Sequence, residues 1–428
     1  MHFTITGGTK LRGSVSVNGA KNSALAIISA AALAQDGATY LENVPLYTDI
    51  LDLCEILRAL GAEVTFVDRR VLKIEAKNIT NCVAPYEKAR KLRGSTYIVG
   101  LLLARMGKAE VAMPGGCDIG ARPIDFHLKG FEALGARAWL EHGSILAEAP
   151  GGLRGTDLFI DRASFGATIN LMIAASLGHG TTHLENAARE PEIVDLANFL
   201  TGLGATVRGA GTSTIRIEGS RRLHGVRHEI IPDRLEAGTY LLAGLASGGE
   251  VEVKGVIPEQ LATVCAKLVE VGADLEMGPD SIRLKSPQTL AAVDVQTQPH
   301  PGFPTDLHPP IVAALARANG ISLVQETVFE NRFNYVNELV RMGASVRVDR
   351  DTAIVRGQPR LSGAPVEAPD IRGGAALVIA ALAAEGQTTV SGVQYVERGY
   401  EDLEGKLCQL GAEVSRDGHA LASEGQAS

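Results

Sequence analysis

The residues best suited to chemistry lie in Pro114-Gly-Gly-Cys-Asp-Ile-Gly-Ala-Arg-Pro123. Here a cysteine stands among three glycines, five residues ahead of an arginine. Three glycines in ten residues expose backbone and exclude a helix or strand interior. Cys117 in such a loop meets solvent or ligand, and Arg122 favours its thiolate. Taken alone, the loop fits an incidental surface thiol as well as a reactive one.

A second polar set stands where buried helices are expected to begin. Its members are Asn18-Gly-Ala-Lys21-Asn22-Ser23, Lys91-Leu-Arg93-Gly-Ser95, Asp161-Arg162-Ala-Ser164-Phe165-Gly166, Pro232-Asp-Arg234-Leu-Glu236, His300-Pro-Gly-Phe-Pro-Thr-Asp306 and Asp370-Ile-Arg372-Gly-Gly374. Helix N-termini bind anions through free N–H groups and the helix dipole. Five of the six carry Lys or Arg, so ends that face one another would form an anion cage. Each one singly is better read as an N-cap, a role open to Ser23, Ser95 and Asp306. Asp306 has no cation in its own segment and is a candidate general base. Two further polar clusters, Arg189-Glu-Pro-Glu192 and Glu397-Arg-Gly-Tyr400, are open to a surface ion-pair or turn reading.

The elements that must position these residues are legible as a repeat. An apolar residue followed by Gly-Ala and an alternating strand recurs at Gly61, Gly135, Gly204, Gly272, Gly343 and Gly411, at spacings of 74, 69, 68, 71 and 68 residues. Each glycine falls where a helix needs a left-handed C-cap. The spacing of Ile50, Leu53, Leu57 and Leu60 predicts a helix over Thr48–Leu60. About 20 residues before each Gly-Ala runs a short strand, such as Thr181–Asn186 or Glu250–Val253. Before each strand runs an Ala/Leu-rich helix with few charges: Ser23–Gln35, Ser95–Met106, Gly166–Leu177, Glu236–Ala246, Asp306–Ala318 and Gly373–Glu385. Such helices are buried nearly all round. Each unit of about 70 residues reads strand–helix–strand–helix–strand–strand, an α/β arrangement with βαβ crossovers. Six units exceed one compact core, so two domains of three units each are expected, with a solenoid as the alternative.

Composition narrows the function classes. The chain has 428 residues, 45% hydrophobic and 21% charged, with a net charge of −8. That balance argues against a general nucleic-acid or anionic-membrane surface. Only 4% is aromatic while glycines number 48, so the core is aliphatic and the turns are tight. Five cysteines without a CxxC pair indicate a reducing compartment and no zinc site. Cys54, Cys265 and Cys408 lie in apolar helical patterns and read as inert core thiols. No signal region opens the chain, and no apolar run reaches the ~18–20 residues that span a bilayer. A cytoplasmic protein is expected.

The assembled motifs resemble the enolpyruvyl transferase family over essentially the whole chain. They are Gly19–Asn22, Pro114–Pro123, Ser164–Thr168, Glu185–Asp195, Pro232–Arg234, Phe303–Asp306, Phe329–Phe333 and Arg398–Tyr400. The resemblance implies a two-domain inside-out α/β barrel built from six βαβαββ units. It assigns 20–230 to one domain and 1–19 plus 231–428 to the other, so that the chain crosses between them twice. It implies transfer of the enolpyruvyl group of phosphoenolpyruvate to the 3′-hydroxyl of UDP-N-acetylglucosamine, with loss of phosphate, as the first committed step of peptidoglycan synthesis. No cofactor or metal is implied, and the partners are those two small molecules.

Carried over residue by residue, the resemblance makes Cys117 the acid toward phosphoenolpyruvate and the expected target of the epoxide fosfomycin. Lys21, Asn22, Arg122, Arg372 and Arg398 would surround phosphate and carboxylate. Asp306 would be the base at the sugar hydroxyl. Arg93, Arg122, Pro123, Ile124, Asp125, Phe126, Arg162, Ser164, Phe165, Gly166, Asp306 and Val328 would line the UDP-sugar. Glu190, Glu192 and Arg234 match polar cleft residues. The chain departs from the family's usual residues at Ala26, Leu101, Phe165, His308, Pro310, Asn334 and Tyr335, which bears on the shape of the sugar pocket. Two other readings remain: a shikimate-pathway member of the same family, and a paralogue that binds UDP-sugar without turnover. The intact Lys21, Cys117, Arg122, Asp306 and Arg398 weigh against the second.

Overall fold

A computed structural model describes residues 1–115 and 124–417. Cys117, Arg122 and Pro123 lie outside them. The six expected buried helices are present: α1 (Lys21–Ala31), α2 (Tyr97–Met106), α3 (Phe165–Ala175), α4 (Arg234–Ala246), α5 (His308–Leu315) and α6 (Ile371–Ala383). Ten of the eleven residues of α1 are buried. A helix with so few charges is stable only when enclosed, because its own propensity is a minor term beside burial at roughly 25 cal/mol per Å². Helix α2 packs between α1 and α3, whereas α4, α5 and α6 each pack against the other two. Sheets with alternating burial, as in Thr181–Glu185, cover the helices and turn their polar faces to solvent.

The Gly-Ala repeat has the expected cause. All six glycines have positive φ, from 86° to 114°. The alanine after each donates its N–H to the carbonyl five residues earlier, at 2.9–3.1 Å. This is the bond pattern of a Schellman cap, which satisfies a carbonyl that the helix end leaves free. The alanine side chains are buried, so only a small residue fits there. The helix Thr48–Leu60 has the expected bounds and ends on Gly61.

Helix starts differ from the expectation by one or two residues, and the difference changes which residues act as caps. Helices α1, α4 and α6 begin at Lys21, Arg234 and Arg372's neighbour Ile371, so the cations sit in the first turn. Ser23 is inside α1 and donates to Asp195 instead of capping. Ser95 lies in a 3-10 turn and donates to the Ala89 carbonyl at 2.8 Å. Among the six buried helices the side-chain caps are Ser164, Asp233 and Asp370, each accepting from backbone N–H of the first turn.

Strands are exchanged between distant parts of the chain. In the third unit Asp157–Phe159 enters α3 and lies parallel to Thr181–Glu185. The equivalent strand for the first unit is Arg227–Glu229, parallel to Thr39–Glu42, and for the fourth it is Arg12–Ser16, parallel to Glu250–Lys254. His2–Thr6 fills the sixth sheet between Gln387–Ser391 and Glu413–Asp417. Buried apolar residues form two clusters, one from Ala24 to Ile230 and one joining Phe3–Val15 to Leu235–Ala412. The connections between them run side by side. Ala20 N–H donates to Ile231 O at 2.7 Å and Asp233 N–H to Asn18 O at 2.8 Å. Gly19 is required there, since an added Cβ would lie 1.9 Å from the Asn43 carbonyl oxygen.

Cys54 and Cys265 are buried, and burial pushes their thiols up to about 12 and about 11. Cys408 corrects the expectation. It is exposed, because the short helix Leu403–Gln409 turns Leu403 and Leu407 inward and leaves the residue after Leu407 outside. Among the described residues no helix is long and apolar enough to cross a membrane.

Candidate active site

The two connections deliver Lys21 as the first residue of α1. Its Nζ lies 2.6 Å from Asp49 Oδ2, with both side chains 8% exposed. Asp49 opens the helix Thr48–Leu60 from within the same apolar cluster. From the other cluster, Arg398 Nε donates to Asp49 Oδ1 at 2.9 Å. One carboxylate therefore joins two cations that are distant in sequence. Burial lowers the pKa of Lys21, and Asp49 offsets part of that effect. Burial raises the pKa of Asp49, but Lys21 and Arg398 outweigh it and leave the carboxyl below its ordinary value.

Asp306 is not the lone carboxylate that its local sequence implied, nor a helix cap. It sits in the 3-10 turn Thr305–Leu307 before α5. Its Oδ1 accepts from Arg332 Nη2 at 2.6 Å. Its Oδ2 accepts from Arg372 Nη2 and Nε at 3.2 and 3.3 Å. Burial raises the Asp306 pKa, yet the two guanidinium groups outweigh it and hold the carboxyl well below the usual carboxylate range. Arg372 is fixed in turn by the cap of α6, with its guanidinium over the Tyr400 ring at 5.2 Å. Arg332 stacks over Phe329 at 5.4 Å. Arg372 and Arg398 both bear electrostatically on Lys21, which places the Asp49 and Asp306 groups in one field.

A third group links the halves at the expected sugar-binding positions. Arg162 Nη2 donates to the carbonyls of Val328 and Thr327 at 3.2 and 3.4 Å. Ser164 caps α3, Phe165 is its half-buried first residue, and Gly166 faces His127, whose Nε2 would be 3.4 Å from an added Cβ. Asp125 and Phe126 open the helix Asp125–Ala133, and Ile124 is its N-cap. Arg93 begins the 3-10 turn before α2, and Asn22 is half-buried on α1. Nearby, Arg234 Nε and Nη2 meet the two oxygens of Glu192 at 3.2 and 3.4 Å. Burial raises the pKa of Glu190, the N-cap of the helix Pro191–Leu203 on which Glu192 lies.

Sequence reasoning missed Asp49 and Arg332 as site residues. Arg332 lay inside a recognised motif, but nothing local singled it out as Asp306's partner. Asp49 looks like any acidic residue in a first helical turn. His308 and Tyr335, read as departures that alter the sugar pocket, are both fully buried and pack edge to face at 6.0 Å.

The arrangement is suited to binding an anion with two charged ends beside a carboxylate that can take a proton. Preorganised cations in a desolvated cleft stabilise charge that moves during reaction. The model for the family described as EPSP synthase (3-phosphoshikimate 1-carboxyvinyltransferase) matches residues 5–407. UDP-N-acetylglucosamine 1-carboxyvinyltransferase 2 of Symbiobacterium thermophilum is 60% identical over 414 residues, 97% of either chain. The UDP-N-acetylglucosamine 1-carboxyvinyltransferase of Clostridium botulinum is 48% identical, covering 96% of this chain and 99% of its own. Among solved structures, the enolpyruvyl transferase NikO from Streptomyces tendae superposes with a TM-score of 0.87 at 26% identity, over 97% of this chain and 98% of that one. EPSP synthase from Acinetobacter baumannii shares the fold, with a TM-score of 0.74 at 19% identity over 97% and 100%.

Proposed function

The chain belongs to the enolpyruvyl transferase family, and on that basis we propose that it transfers the enolpyruvyl group of phosphoenolpyruvate to the 3′-hydroxyl of UDP-N-acetylglucosamine. The carrying observation is the 60% identity, over 97% of either chain, to a relative named for this reaction. The product feeds peptidoglycan synthesis. We read 20–230 and 1–19 plus 231–428 as the two domains, closing on the substrates from either side.

In this reading Lys21, Asn22, Arg122, Arg372 and Arg398 hold the phosphate and carboxylate of phosphoenolpyruvate. Arg93, Arg162, the segment from Arg122 to Phe126, the start of α3 and Val328 hold the UDP-sugar. Asp306 accepts the proton of the 3′-hydroxyl as its oxygen attacks C2 of phosphoenolpyruvate. Cys117 delivers a proton to C3, and a tetrahedral ketal results. Loss of a C3 proton and departure of phosphate then restore the double bond. A carboxylate bound by two arginines is a weak base. An arriving anion that competes for Arg372 would raise the basicity of Asp306 when both substrates are in place. Alignment of two bound reactants contributes much of the acceleration.

The test is phosphate release. It is expected only when phosphoenolpyruvate and UDP-N-acetylglucosamine are both present. Release with shikimate 3-phosphate in place of the UDP-sugar would transfer the chain to the other branch of the family. Binding of UDP-sugar without release would make it a non-catalytic paralogue. Fosfomycin is expected to add its mass to the wild type and not to Cys117→Ser.

A further inference from the structure

Glu326 has no role in the reading above, yet its side chain is wholly buried. It follows the strand Ile321–Gln325 and leads into the segment that carries Val328 and Arg332. Its Oε1 accepts from the Val328 N–H at 2.7 Å, the Phe329 N–H at 3.1 Å and the Thr297 hydroxyl at 2.9 Å. Its Oε2 accepts from the Thr305 hydroxyl at 2.8 Å. A buried carboxylate persists only where donors compensate its lost hydration, and four donors do so here. An apolar residue would fill the same space without that cost, so the bonds themselves are the reason for a carboxylate.

These bonds connect two functional segments. One oxygen holds the backbone that presents Arg332 and the Val328 carbonyl, to which Arg162 donates. The other holds the residue immediately before Asp306. The two segments meet in the 2.6 Å contact between Arg332 and Asp306. We propose that Glu326 is a positioning residue: it ties the sugar-contact segment at Val328 to the turn bearing Asp306, and so sets where the base stands when the UDP-sugar is bound. The proposal rests on the reading of Asp306 as that base. A shift near 1 Å in a reacting group is enough to cost orders of magnitude in rate.

Thr305→Val keeps the shape of the side chain and removes only the bond to Glu326. It is expected to lower kcat about tenfold with the KM for phosphoenolpyruvate unchanged within twofold, and Thr305→Ser is expected to restore kcat. Glu326→Gln retains an acceptor for the backbone N–H groups and can donate its amide to the Thr305 oxygen, so it should stay within about threefold of wild type. Glu326→Leu should lose more than a hundredfold; if it fails to fold, the Thr305 pair still decides. In an Asp306→Asn background, Thr305→Val should cause no further loss, because the tie acts through Asp306. Wild-type kcat in Thr305→Val, with only a lower melting temperature, overturns the proposal, as does a full tenfold further loss in the double variant. Full turnover by Asp306→Asn itself would instead remove the base assignment, and the tie with it.

Discussion

Asp49 lies between Lys21 and Arg398, and Asp306 lies between Arg332 and Arg372. The two groups use the same charges but are built differently. Arg332, Arg372 and Asp306 all come from the part of the chain after residue 231, and both arginines are almost fully buried. Their geometry is set within one apolar cluster. Lys21 and Asp49 come from the other cluster, while Arg398 reaches across with its side chain 27% exposed. That group exists only when the two halves meet. Glu401 repeats the pattern: it accepts from Arg70 at 2.9 Å and from the Leu46 N–H at 3.0 Å, both on the far side. The difference teaches that one carboxylate belongs to a prebuilt site, and the other reports how the halves are closed.

The contrast can be broken most severely at Asp306. Asp306→Asn is expected to lower kcat by about a thousandfold, as loss of a positioned base does, while UDP-sugar affinity changes by a few-fold at most. Phosphate release and a binding titration check the two parts.

Asp49→Asn should act more on the assembly than on the chemistry. Removal of one partner from an enclosed ion pair costs ~3–5 kcal/mol, and the exposure of Arg398 brings this down to roughly 2 kcal/mol. Phosphoenolpyruvate supplies replacement negative charge to Lys21 and Arg398, so a melting curve should recover most of the loss in its presence. The Asp306 variant should recover less, because phosphoenolpyruvate reaches only Arg372 of the two arginines that Asp306 joins. Equal recovery in both would erase the distinction between them.

Gly19→Ala perturbs the connection that leads to Lys21 and leaves the Asp306 group alone. Its Cβ clash is expected to cost about 1–3 kcal/mol, and to raise the KM for phosphoenolpyruvate more than that for UDP-sugar.

The smallest effect sharpens the interior of the second half. Burial, with Arg332 adding to it, lowers the His308 pKa to about 3 from an ordinary 6.5. The unfolded chain therefore takes up a proton that the folded chain refuses. Stability is fully present above about pH 6.5 and falls as the pH drops toward 3. His308→Gln should remove roughly 1–2 kcal/mol of the loss between about pH 6.5 and 5, read from melting temperatures across that range.

Much of the fold was legible because its signals are local. The Gly-Ala pairs mark six caps through bonds that span five residues, and the uncharged helices announce their own burial. Lys21, Arg372, Arg398 and Asp306 stood out as candidates by type and by motif, and the fold gathers them into two ion-paired groups. The strand exchanges were not legible from periodicity, because Arg227–Glu229 and Thr39–Glu42 are far apart in the chain and neither pattern names its neighbour. The same holds for the partners of the charged groups.

The sequence by itself determined the six-unit architecture, the enclosed helices and a set of cations at helix starts, since each follows from burial and hydrogen bonding within a few residues. Tertiary structure alone decided that Asp49 pairs with Lys21, that Asp306 is doubly bound, and that Glu326 holds the residue before it. Coulomb attraction and hydrogen bonding act over a few ångströms of space. Residues 349 apart in the chain, such as Asp49 and Arg398, acquire that proximity only when the chain folds.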